Sequence, residues 1–173
     1  MPSIDTPAAP APAVARPAPT KPPRIWSRGT RRALLTLHIV ASVGLLGASS
    51  ALLVLAITAS GTTDPELSHS AATLVQTFGF VFGIPLSFTG LLTGIALGLG
   101  TKWGVLRYPW VMTKLALLVT TILSGALLIG TGAERMAGGE GGGGLLIAAA
   151  AYNVCALLTS TALSVYKPGR RRR

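Results

Sequence analysis

Acidic side chains are scarce in this chain: five Asp and Glu among 173 residues, against fifteen Lys and Arg. All five (Asp5, Asp64, Glu66, Glu134 and Glu140) lie outside the long apolar runs. Proton-coupled carriers and cation pathways rely on intramembrane carboxylates, so the absence argues against a proton or cation pump. Cysteine is almost as rare. Cys155 stands alone inside an apolar stretch, which leaves no disulfide framework and no thiolate pair for a metal. There are only two histidines, His38 and His69. Charged residues make up 12% of the chain and mean hydropathy is +0.59, a balance that leaves no room for a large soluble domain. A net charge of +10 would point to nucleic acid in a soluble protein. Here the basic residues flank apolar runs, the pattern of topology signals, and no nucleic-acid partner is expected.

Four apolar runs predict an all-α polytopic bundle, with spans at about 33–60, 71–100, 110–130 and 145–166 in a membrane domain covering 25–167. Residues 1–24 carry the Pro/Ala pattern PAAPAPAVARPAPTKPP, which buries no core and reads as a solvated tail. The closing residues 168–173 form a basic tail. RIWSRGTRR before the first span and TKWGVLRYP between the second and third combine cations with Trp or Tyr, the composition of a membrane interface. GTTDPELSHS, with Asp64-Pro65 at its bend, and TGAERMAGGEGGGG read as the loops on the other side. The N-terminal segment, second loop and C-terminal tail together hold thirteen Lys and Arg, and the other two loops hold Arg135 alone. That asymmetry places both termini in the cytoplasm of a cell that carries the protein in its cytoplasmic membrane.

The second span holds a small-residue pattern. At ~100° per residue, Gly79, Gly83, Ser87, Gly90, Gly94 and Gly98 fall in one sector of about 100°, which predicts a packing spine. Phe78, Phe82 and Phe88 fall outside the sector and Phe80 at its edge, as for a lipid-facing side. Pro85 is the expected kink.

The conspicuous polar residues in the spans are His38, Lys114 and Asn153. His38 and Ser42 share a face of the first helix with Ser49; Lys114 and Thr121 share one on the third; Asn153, Ser160 and Ser164 line up on the fourth. His38 stands ~8 Å and Lys114 ~6 Å inside the cytoplasmic end of their spans. His38, Ser42, Lys114, Thr121 and Ser160 therefore form a candidate cytoplasm-facing vestibule for an anion, a quinone or a lipid headgroup. The simpler expectation is that Lys114 snorkels to phosphates, His38 bonds a neighbouring helix and the serines bond back to their own helices. His69 precedes the second span on the opposite side, so a bis-His metal or haem site within one subunit would have to bridge ~30 Å. Neither a carboxylate that would orient His38 nor a G-x-S-x-G is found, and the glycine run lacks the context of a phosphate loop. No catalytic residue, metal or cofactor is assigned.

The stretches LHIVASVGLLG and PLSFTGLLTGIALGLGTKWGVLRYPWVMTKLALLV resemble a family of four-helix integral membrane proteins of bacteria for which no activity is established. The first-helix histidine is also similar to that of copper-resistance membrane domains, whose further His and Met ligands this chain lacks. The sequence thus favours a non-enzymatic scaffold or partner-binding membrane component, self-associating or joined to another membrane protein. A minimal transporter or an anion-, quinone- or lipid-binding bundle using the vestibule is the alternative.

Overall fold

A computed structural model describes residues 26–100 and 109–166. The proline-rich tail, the loop residues 101–108 and residues 167–173 lie outside the described residues, together with the readings made for them. Four helices follow one another: α1 (Arg28–Gly61), α2 (Pro65–Leu99), α3 (Pro109–Ala137) and α4 (Gly143–Tyr166). Each is long and apolar enough to cross a membrane. Their lengths of 34, 35, 29 and 24 residues exceed the ~20 needed to span the hydrocarbon, so they tilt or project beyond it.

Local chemistry sets the helix starts. The Thr30 amide donates to Ser27 Oγ at 3.1 Å, capping α1. Asp64 caps α2 by accepting from the Glu66 amide at 2.9 Å, and Pro65 occupies the first turn, where its missing N–H costs nothing. The loop expected from GTTDPELSHS therefore shrinks to 62–64. Ser68 Oγ donates to the Ala59 carbonyl at 2.8 Å and fastens this hairpin. The third span also runs further than the expected end at 130. TGAERMA continues as helix because Gly132 and Ala133 pack inward, with Ala133 fully buried and Gly132 against Leu146. The turn itself is left to glycines: Gly139, Gly141 and Gly142 have φ of 77°, 81° and 102°, where other residues are strained.

α1 packs along both α2 and α4, and α3 packs along α4. The contact between α2 and α3 is concentrated at the end near the 62–64 and 138–142 turns, hereafter the turn end. There Leu52, Ala56, Val75, Ile129, Ala133, Leu146, Ala149 and Ala150 form the core. Half of these are alanines, and small side chains permit the close approach that holds helices together in lipid. The opposite end, where α1 begins and α4 ends, is the tail end. Toward it polar side chains are buried as well: Ser49, Ser87, Thr93, Thr121, Ser124 and Asn153.

Two π-turns interrupt the helices. In α2 the turn covers Gly79–Gly83, and the Ile84 amide reaches back to the Gly79 carbonyl. Pro85 explains its position, because a proline lacks the N–H for a regular turn and its ring crowds the carbonyl four residues back. The wider turn relieves both. In α3 the turn covers Gly125–Ile129, with the Gly130 amide on the Gly125 carbonyl. No proline causes it.

The first π-turn corrects the wheel drawn for α2, since an extra residue rotates everything beyond it. Before the turn the buried face is Ala71, Ala72 and Val75; after it, Ser87, Gly90 and Thr93. Phe80, Phe82 and Phe88 point outward as expected, whereas Phe78 packs against the core.

Candidate functional site

Polar side chains gather in the tail-end half because the four helices bring one face each to it. From α1, the His38 imidazole lies against α2, with Nδ1 3.0 Å from Thr93 Oγ1. Thr93 uses its single hydroxyl proton on the Thr89 carbonyl at 2.6 Å, so it accepts from His38 and Nδ1 carries the hydrogen. That assignment leaves the Nε2 lone pair of the neutral ring as an acceptor. Gly94 supplies the floor: a Cβ there would stand 3.2 Å from His38 Cε1. Ser42 Oγ donates to the His38 carbonyl at 2.7 Å and is spent within its own helix.

From α3, Lys114 turns toward α4. Its Nζ donates to Ser164 Oγ at 2.6 Å, and Ser164 passes its own proton to the Ser160 carbonyl at 3.0 Å. Ser160 therefore enters the site through its backbone. Lys114 is half-buried. An ammonium has three donors, and Ser164 occupies one. The apolar runs contain no Asp or Glu, so no carboxylate of the spans balances the charge.

Thr121 lies deeper, buried with Ser124 one turn on and Asn153 of α4. Thr121 Oγ1, Ser124 Oγ and Asn153 Oδ1 are all buried without a hydrogen-bond partner. Thus His38 is held on α2 by Thr93 and Lys114 on α4 by Ser164, with the Ser160 carbonyl behind that serine, while Ser42 bonds its own helix and Thr121 is buried deeper.

The expected spine is not a continuous seam. A Cβ at Gly79 or Gly90 would meet nothing within 4 Å, and at Gly83 only the Phe78 carbonyl of the same helix. Gly94 makes its close contact with a side chain, His38, rather than with backbone. Ser87 is buried, and Gly98 is partly so. An equally close approach between α1 and α2 comes from Gly44, where a Cβ would stand 3.2 Å from Leu86.

At the turn end His69 Nδ1 donates to the Ala137 carbonyl at 3.0 Å and ties α2 to α3. The two histidines are at opposite ends of the bundle, and no group of His, Cys, Asp and Glu that could hold a metal occurs among the described residues. Sequence reasoning missed Thr93, the partner of His38. Its three-residue spacing from Gly90 and Ser87 was the available signal. Trp26, expected as an interfacial anchor, folds over Gly100 at the end of α2.

Over residues 32–137 the chain matches the protein family described as "Predicted integral membrane protein (DUF2269)". No curated protein and no solved structure matches.

Proposed function

The chain belongs to this family of predicted integral membrane proteins, and from that premise we propose that it is a non-enzymatic, ligand-binding component of the cytoplasmic membrane. In this reading both termini are cytoplasmic, which makes the tail end the cytoplasmic end. Its ligand is the anionic headgroup of a membrane lipid, held at the cytoplasmic face between α3 and α4. Lys114 is the observation that carries this reading. A solvated anchor would extend toward the headgroups, but this ammonium is docked on Ser164 of the neighbouring helix with no carboxylate in the spans to neutralise it. A phosphate reaching Lys114 would complete its donors and cancel its charge. Burying an unpaired cation is costly, so occupancy stabilises the bundle.

The test compares phosphatidylglycerol with phosphatidylcholine bound to the detergent-purified protein by native mass spectrometry. Retention of phosphatidylglycerol should fall about tenfold in Lys114→Met, equal to about 1.4 kcal/mol, and less than threefold in Lys114→Arg. Equal retention of both lipids by the wild type, or no loss in Lys114→Met, would contradict the reading.

Association with a second copy or another membrane protein is the second reading. Gly47 favours it: it is exposed on α1 with open space where a Cβ would stand, a point where another helix can come close. Cross-linking through Gly47→Cys in a Cys155→Ser background, without products at Ile57→Cys, which is exposed but about 80° round the helix from Gly47, would support that contact.

A further inference from the structure

Three buried polar atoms without partners sit at mid-depth between α3 and α4, beside an open lateral cleft. Ser124 is about 20 Å from either end of α3 at ~1.5 Å per residue. The antiparallel register is fixed on one side by Lys114 on Ser164 and on the other by Gly132 against Leu146. Between these points Ser124 stands level with Asn153. Thr121, three residues before Ser124, shares its face. Exposures of 3% for Thr121, 7% for Ser124 and 4% for Asn153 remove them from any outside solvent.

Hydroxyls buried in membrane helices ordinarily donate to the carbonyl four residues back, and many in this chain do: Ser42, Thr58, Ser60, Thr113 and Ser164 among them. Thr121 and Ser124 do not. Their hydrogen-bonding capacity is left for something outside their own helix.

Ser124 also lines the cleft, a space of about 460 Å³ walled by Leu123 and Leu127 from α3 and by Leu145, Ala149 and Tyr152 from α4. The volume falls within the ~300–1,000 Å³ range of small-molecule sites. The outward walls, Leu127 at 62% and Leu145 at 54% exposure, face the lipid. The π-turn at Gly125–Ile129 begins at the residue after Ser124 and carries Leu127, so it helps to shape this wall. At the rim Tyr152 and Thr120 satisfy one another, their oxygens 2.6 Å apart.

We propose that the α3–α4 cleft binds an uncharged amphiphile from the bilayer, an alcohol whose chain lies along the leucines and whose hydroxyl meets Ser124, the member of the buried polar group that lines the cleft. The chemistry selects each part. No charged side chain lines the cleft, which excludes a carboxylate or an ammonium head at this depth. The Ser124 hydroxyl can both donate and accept; a carbonyl could only accept from it, whereas an alcohol matches either role. This site is separate from Lys114 and does not depend on the headgroup reading.

The full-length protein in phosphatidylcholine nanodiscs is exposed to octadecanol bearing a diazirine near its hydroxyl, and labelled residues are mapped by peptide mass spectrometry. The octadecyl methyl ether and octadecane carrying the same diazirine are the comparisons. The alcohol should label 120–128 and 145–152 at least fivefold more than either, with excess unlabelled octadecanol suppressing it. In Ser124→Ala the alcohol should fall to the level of the ether, with thermal unfolding of the variant measured alongside to show that the bundle is intact. Equal labelling by alcohol and alkane, or unchanged labelling in Ser124→Ala, would overturn the proposal and assign the cleft to acyl chains and the buried atoms to internal water.

Discussion

Glycines that look alike in sequence do different work according to what faces them. Gly94 accommodates the His38 ring, whereas Gly79 faces open space. Gly94→Ala places a methyl 3.2 Å from His38 Cε1, so the ring has to move and its bond to Thr93 lengthens or breaks. Gly94→Leu overfills the same space and should cost about 1–3 kcal/mol. Gly79→Ala should be neutral or gain up to about 1 kcal/mol, since alanine is the better helix former. Unfolding of the purified variants in mixed detergent gives the order, Gly94→Leu least stable and Gly79→Ala most. The reverse order would place the close approach elsewhere on α2. His38, Lys114, Thr121 and Asn153 were legible as buried polar candidates because polar groups in apolar runs are few. Their partners were not. The spacing of Thr93 from Gly90 and Ser87 places it on their face, but nothing in the sequence pairs it with His38.

The helices themselves were readable from hydropathy, but the first two begin at Arg28 and Pro65, ahead of the expected 33 and 71, because the Ser27 and Asp64 caps extend them beyond the apolar runs. The rotational setting of α2 was not readable. A wheel assumes a constant angle per residue, and one π-turn shifts the downstream face by about one residue step, ~100°. Pro85 marked the place but not the manner of adjustment. This account predicts a coupling between the turn and the proline. Deleting Phe80, which is 73% exposed, would restore a regular helix and return the Ser87, Gly90, Thr93 face to the setting expected from the upstream residues. With Pro85 in place that regular turn loses a hydrogen bond and meets the ring, at a cost of ~3 kcal/mol. In a Pro85→Ala background the deletion should cost much less. A double-mutant cycle on unfolding free energy measures the difference, and additive effects would mean that the proline does not impose the π-turn. The π-turn at Gly125–Ile129 has no such sequence signal, which is why the α3–α4 cleft could not be foreseen.

At the scale of the molecule, packing is uneven along the membrane normal: an alanine-rich core joins all four helices at the turn end, and toward the tail end buried polar side chains mix with Ala41, Leu45, Ala156 and Leu157. The proposed headgroup site depends on which end faces the cytoplasm. The charge asymmetry argues that it is the tail end, and it was visible in the sequence because Lys and Arg are counted rather than positioned. In the proposed orientation Lys114 would lie near the cytoplasmic leaflet, where anionic lipid adds a local field of about 1 kcal/mol per cation. Sidedness is therefore the most direct test of the account. In a Cys155→Ser background, single cysteines replace Thr63, Gly141 and Gly104, and intact cells are treated with a membrane-impermeant thiol reagent. Thr63→Cys and Gly141→Cys should be labelled, with Gly104→Cys protected until the membrane is permeabilised; labelling of Gly104→Cys in intact cells, with the other two protected, would put Lys114 on the wrong side and contradict the proposed site.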